Sequence, residues 1–138
     1  TMTISEVNIR ALKEIADSYE AWLSTHINEI IQLDGFISAE WSLVEEDQET
    51  KDLEEAVRQA VRLDESVPHE IREAAAAPVE TKLYCIQYRL RDRESLENYL
   101  THHAESMRQD GIDRFGTKFA ATRRVMKLYR IFEPAAEE

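Results

Sequence analysis

The chain switches between two hydrophobic periods, and their order predicts its architecture. Over Ile4–Arg10, Val7 and Ile9 share one side while Glu6, Asn8 and Arg10 share the other, the two-residue period of a half-buried strand. From Ala11 the spacing lengthens. Leu12, Ile15, Tyr19, Trp22, Leu23, His26 and Ile30 recur at three- and four-residue steps, predicting one face of a long amphipathic helix. Asp34 and Gly35 predict its end, since glycine is the usual residue where a chain leaves a helix. Phe36–Val44 alternates again, with Ile37, Ala39, Trp41 and Leu43 opposed to Phe36, Ser38, Glu40 and Ser42. A third strand is expected over Leu83–Leu90: Tyr84, Ile86, Tyr88 and Leu90 on one side, Cys85, Gln87 and Arg89 on the other. Asp92 then opens a second helix with the stripe Leu96, Tyr99, Leu100, His103 and Met107, and Gly111 and Gly116 bracket its end. The last strand is expected from Phe119 to Phe132 and is rich in Arg123, Arg124, Lys127 and Arg130.

The two helical segments repeat each other. Ser18, Glu20, Leu23 and His26 recur as Ser95, Glu97, Leu100 and His103 at a constant offset of 77 residues, and Trp22 corresponds to Tyr99. Each copy is flanked by predicted strands, so the chain reads as two βαβ halves. Residues 45–78 have no counterpart in the repeat. Residues 45–55 hold seven acids and one lysine, and beyond them Leu53, Val57, Ala60 and Val61 form a narrow apolar stripe. A short helix is expected from about Ser66 to Ala77, closed by Pro78. The reading is one α+β domain over residues 1–138, interrupted by an acidic helical insertion at 45–78 that the core should not need for folding. The order β-α-β-insertion-β-α-β implies an antiparallel sheet with two helices on one face.

In such a sandwich the helices cover the apolar face. The free face would carry Glu6, Asn8, Ser38, Glu40, Ser42, Cys85, Gln87 and Arg89, with Phe36 beside them. Two readings stay open. It is a solvated face with cross-strand ion pairs, or it meets a second sheet across a homodimer and lines a semi-polar cavity.

Charge narrows the partners. Net charge is −11, from 28 acidic and 17 basic residues, so neither nucleic acid nor an anionic membrane surface is an expected partner. No apolar run reaches the roughly 20 residues that span a bilayer, and the first residues lack the basic start and apolar stretch of a signal peptide. A cytoplasmic protein is the expectation. The lone Cys85 rules out an internal disulfide, and beside polar neighbours with no predicted base it reads as a small buried residue. No spacing of histidines and carboxylates suggests a metal site, and no phosphate-binding loop or nucleophile elbow is present; no cofactor is expected.

Three stretches together resemble a known family. They are His26–Ala39, Tyr99–Gly111 and Arg114–Arg124, the last containing Phe115-Gly-Thr-Lys-Phe119 followed by Arg123 and Arg124. They resemble the bacterial domain of unknown function 4286, over about residues 4–44 and 80–132. Asn28 stands where that pattern often has proline, and the 45–78 block is longer. The resemblance implies a ferredoxin-like fold that pairs into a dimeric α+β barrel. Relatives of such barrels include cofactor-free monooxygenases, cyclases, isomerases and haem-degrading enzymes, some placing a helix histidine at the cavity. The family itself carries no reaction to transfer.

The candidate chemistry follows. His26 and His103 occupy matching stripe positions, and packing alone would account for a duplicated pair; a general base needs a near-neutral pKa and a substrate in reach. His103 is the better candidate, with Tyr88 and Arg89 from the strand directly before its helix as catalytic partners. His102 points about 100° away and His69 lies in the insertion. Glu6, Asn8, Glu40, Gln87 and Arg123 are the candidate ligand-binding set; only one of Arg123 and Arg124 can face a cavity, where it could pair with Glu6 or Glu40 or hold an anionic ligand. Three functions remain: a homodimer binding a small organic molecule or acting as an interaction module, a cofactor-free enzyme using His103 as base, and a structural or regulatory dimer.

Overall fold

The computed structural model describes residues 1–76 and 79–136. Strand β1 spans Thr3–Leu12, and a single 3-10 turn, Lys13–Ile15, leads into helix α1, Ala16–Ile31. Strand β2, Phe36–Leu43, is followed by α2, Gln48–Leu63, and α3, His69–Ala76. Strand β3, Thr81–Leu90, precedes α4, Arg93–His102, and α5, Ala104–Phe115, and β4 closes the series at Phe119–Lys127. The four strands form one antiparallel sheet in the order β2-β3-β1-β4, with β1 and β3 central as expected for two βαβ halves. The chain has the α+β, ferredoxin-like architecture anticipated from the repeat.

Local chemistry explains where the helices start. Asp92 accepts from the Ser95 backbone N–H at 2.8 Å and from Ser95 Oγ at 2.7 Å, so an acid in the β-region caps α4. Asp47 does the same for α2 through the Thr50 N–H at 2.7 Å. The core lies between the sheet and α1 with α4. Ile9, Ala11, Tyr84, Ile86 and Leu90 from the strands meet Tyr19, Leu23, Ile30 and Leu96 from the helices, all buried.

Five boundaries differ from the sequence reading. Leu12 ends β1 instead of opening the helix. A bulge between Phe36 and Ser38 inserts one residue, which turns Phe36 toward the helices and leaves Ile37 54% exposed. Phe36 therefore packs edge-on against Tyr88 and Tyr99 at 5.8 and 5.3 Å, on the face opposite to the expected one. The second helix is two helices, because His103 leaves helical geometry at φ −129°, ψ −32°. Its carbonyl still accepts from Met107 N at 3.1 Å, so α5 starts at once beyond the break. Gly111 then lies inside α5, not at a helix end; it is buried, and a Cβ there would sit 2.9 Å from Trp22 Cη2. Finally β4 stops at Lys127, paired with Thr3, because β1 offers no strand beyond that point. Leu128 donates to the Met2 carbonyl at 3.0 Å, and Tyr129, Ile131 and Phe132 follow as exposed side chains.

The insertion holds the two expected helices, packed on each other. The predicted helix end at Ala77 and Pro78 lies outside the described residues. Its root is tied to the free face of the sheet, where Arg10 faces Glu46 at 3.8 Å and Glu54 at 3.9 Å.

Candidate functional site

On the free face, three of the five expected ligand-binding residues meet. Glu6 lies in register between Gln87 on β3 and Arg124 on β4. Its carboxylate accepts from Gln87 Nε2 at 2.8 Å, from Asn8 Nδ2 at 3.0 Å and from Arg124 Nε at 2.5 Å. These bonds satisfy it fully, and Glu6 is only 5% exposed. The Arg124 bond first, then Gln87 and Asn8, lower its pKa to about 2. Burial raises the neighbouring Cys85 thiol, which suits a packed side chain better than a nucleophile. Glu40 sits apart in an ion pair with Arg89 at 3.6 Å.

This cluster predicts an acid-sensitive contribution to stability. An unfolded glutamate takes up its proton near pH 4.5, whereas folded Glu6 keeps its charge to about pH 2. The contribution is therefore complete above pH 4.5 and is lost as pH falls toward 2. Arg124 is two-thirds exposed, so solvent screening holds the effect to about 1–2 kcal/mol. Glu6→Gln should be less stable than wild type at pH 7 by that amount, with the gap narrowing at pH 3 in urea titrations. A gap that is constant with pH would remove the carboxylate from the account.

The cavity lies on the other face. A space of about 450 Å³ opens between the sheet and the helices, lined by Tyr19, Trp22, His26, Tyr88, Tyr99, Met107 and Arg123, among others. Its size is that of a site for a small organic molecule. Exposed Arg108, Ile112, Gly116 and Arg123 mark its opening along α5 and β4. The walls are aromatic because the alternation of β3 and the stripes of α1 and α4 converge there.

Trp22 and His26, one helical turn apart, stack with ring centroids 4.4 Å apart and planes 22° apart. The Trp22 indole N–H donates to Asp110 Oδ2 at 3.0 Å, fixing the ring, and Gly111 gives it room. His26 Nδ1 is buried and has no hydrogen-bond partner among the described residues. Burial lowers the pKa of this imidazole, partly opposed by Glu29 and Asp110, so His26 is neutral at pH 7. Burial likewise pushes the Tyr88 and Tyr99 phenols upward, so both stay protonated. The Arg123 guanidinium lies 6.0 Å from the Tyr99 ring centroid, over its face. The chemistry on offer is a neutral base, three phenols (Tyr19, Tyr88 and Tyr99) and the cations Arg108 and Arg123 around an apolar floor.

The expected catalytic set divides. Tyr88 lines the cavity, but Arg89 points from the opposite face of the same strand. It is His26, not His103, that stands in the cavity wall. His103 occupies the break between α4 and α5, stacked on Tyr99 at 6.4 Å and 19°. The repeat thus preserves an aromatic–histidine stack in both halves, while the helix break takes the second histidine out of position. Arg123 and Arg124 do point to opposite sides: Arg124 pairs with Glu6 and Arg123 joins the cavity, away from the other expected ligand-binding residues. Sequence reasoning missed Arg108, an exposed helix residue with no periodic signal, and treated Trp22 and Tyr99 only as core. Their place in the repeat was the available signal. Among the described residues no group of three or more His, Cys, Asp or Glu is placed to hold a metal ion, and no helix is long and apolar enough to cross a membrane.

A ferredoxin-like α+β sandwich with an aromatic cavity beneath its helices is the class this geometry defines. The chain belongs to the family described as domain of unknown function DUF4286, whose model matches residues 2–129. Among solved structures it is similar to a protein from Deinococcus radiodurans provisionally described as an antibiotic biosynthesis monooxygenase. Identity is 11%, with 97% of this chain and 99% of that one covered at a TM-score of 0.59. It is also similar to SnoaB from Streptomyces nogalater, a cofactor-independent oxygenase, at 8% identity over 97% and 100% of the two chains and a TM-score of 0.56. Likeness at this identity shows a shared fold. No curated protein sequence matches the chain.

Proposed function

We propose that this protein is a homodimer whose protomers each bind a small, largely apolar ring compound carrying an acidic hydroxyl or carboxyl group. The observation that carries this reading is the 450 Å³ aromatic cavity with the neutral His26 imidazole in its wall and two arginines at its opening. The aromatic walls suit an apolar ring, and Arg108 and Arg123 at the opening favour an anionic or acidic oxygen on it. A screen of quinones, flavins, haem and polyketide-like acids by thermal shift tests it. A ligand at a hundred times its Kd stabilises by about 2.7 kcal/mol. His26→Phe fills the same space without the nitrogen and should change stability of the free protein by only about 1–2 kcal/mol. Loss of the ligand-induced shift in His26→Phe and Arg123→Ala, with retention in His103→Phe, is the expected pattern. Equal binding by all three variants would sink the assignment.

The neutral state of His26 favours a second reading, a cofactor-free enzyme of oxygenase, cyclase or isomerase type. Here His26 would take the acidic proton of the bound ring and Arg123 would hold the resulting anion. The likeness to a cofactor-independent oxygenase supports that reading at the level of fold. Protonation removes the base, and burial places its pKa below the ordinary 6.5. Turnover should therefore be flat with pH near neutrality and fall only below that value, and His26→Gln should abolish the limb with the activity. An acid limb unchanged in His26→Gln would assign the base elsewhere.

Dimerisation rests on the free sheet face, where Ile4, Leu83 and Met126 are half-buried around the satisfied Glu6 cluster. Sedimentation should give about twice the 16.1 kDa chain mass, independent of salt.

A further inference from the structure

Two exposed apolar segments of this chain have no partner within it among the described residues. The α2–α3 arm packs helix on helix but leaves Leu53, Val57 and Ile71 exposed, at 66%, 56% and 54%. The segment after β4 leaves Tyr129, Ile131 and Phe132 exposed, at 82%, 66% and 84%. Their charges are opposite. From Glu45 to Glu73 the arm has eleven carboxylates against Lys51, Arg58, Arg62 and Arg72. From Lys118 to Phe132 there are five cations and no carboxylate.

Within one chain the two segments do not meet. The arm leaves the sheet after Leu43 at the end of edge strand β2, whereas the tail leaves after Lys127, paired with Thr3, at the far end of edge strand β4. These are diagonal corners of the sheet, roughly 25 Å apart from strand spacing and rise. The arm is held on the free-face side, by Arg10 with Glu46 and Glu54, which is where a second sheet would lie. Two such sheets related by a two-fold axis oblique to the strands bring each arm corner over the partner's tail corner. Crossed sheets of this kind are an ordinary packing mode. An axis along or across the strands would not do so.

We propose that the second copy of this chain completes both segments: the arm of each protomer packs its Leu53–Val57 stripe on the partner's residues 128–132. This rests on the homodimer reading above and adds to it the surfaces involved. The pair of contacts is closed and occurs twice, so it ends in a dimer and does not propagate.

Sedimentation equilibrium on the full chain separates the outcomes. Leu53→Ser with Val57→Ser, and separately Tyr129→Ser with Phe132→Ser, alter exposed positions and should keep the wild-type circular dichroism. Each double variant should raise the dimer Kd at least tenfold, and the two combined should do little more than either, because they remove one contact. A Val57→Cys, Phe132→Cys chain with Cys85→Ser should form an intermolecular disulfide under mild oxidation. A wild-type chain that is monomeric at micromolar concentration fails the homodimer reading itself. A dimeric wild type whose Kd is unmoved by either double variant, or moved by only one, overturns the arm-to-tail contact while leaving the homodimer in place.

Discussion

Replacing Tyr19 by alanine is expected to cost about 3–5 kcal/mol, the range for deleting a buried aromatic ring from a packed core. Tyr19 is 1% exposed and stands at the centre of an aromatic cluster. Its ring centroid lies 5.1 Å from Phe115, 5.3 Å from Phe119, 5.6 Å from Trp22 and 6.0 Å from Tyr84. These contacts join α1 to α5, β4 and β3 at one point, and no single neighbour can relax into the space. The hole would merge with the cavity and loosen Trp22, so the stack on His26 should also be disturbed. Tyr19→Phe keeps the volume and should stay within about 1.5 kcal/mol of wild type. Urea unfolding of the pair is the check. A loss below about 1 kcal/mol for the alanine variant would mean the cluster is not the mechanical centre of the fold.

Gly35→Ala should cost about 3 kcal/mol, combining backbone strain with overpacking. Gly35 adopts φ +88° where α1 turns into β2, and a Cβ there would lie 2.3 Å from both Cβ and Oγ of Ser95. Ser95 is held by Asp92 at the start of α4 and cannot withdraw without giving up that cap. The Gly35 carbonyl also accepts from Arg91 N at 2.8 Å, so the turn cannot move away alone. At Gly116 φ is +59° and ψ −128°, a region that L residues rarely adopt, but nothing lies near its Cβ position, so Gly116→Ala should carry only the backbone part, about 1–3 kcal/mol. Equal losses at both positions would show that packing against Ser95 contributes nothing.

Much of this architecture is legible in the amino-acid sequence. The alternation of Tyr84, Ile86, Tyr88 and Leu90 marked a strand with one fully buried face, and the structure buries all four. The 77-residue repeat located both helices and implied that β1 and β3 would be central. The candidate site was legible only in part. Glu6, Asn8 and Gln87 were read correctly as neighbours, because strand register follows from alternation and topology. The cavity between the sheet and the helices was not anticipated, since polar alternation reveals which residues share a face and says nothing about gaps between layers.

Three features needed the tertiary structure. The bulge at Phe36 adds one residue without any change in composition, and it reverses the facing of that aromatic ring. The break at His103 interrupts a stripe that continues smoothly in sequence, and it sends α5 across Trp22 while leaving His26 as the cavity histidine. The facing of Arg123 and Arg124 depends on the register of β4 against β1, which a strand dense in cations and short of apolar alternation does not encode locally. The kind and order of the elements and the faces of the central strands follow from the 2.0- and 3.6-residue periods along the chain. Where the cavity opens, which histidine and which arginine it receives, and which apolar segments are left without cover were decided by how the layers meet, through contacts between residues far apart in sequence.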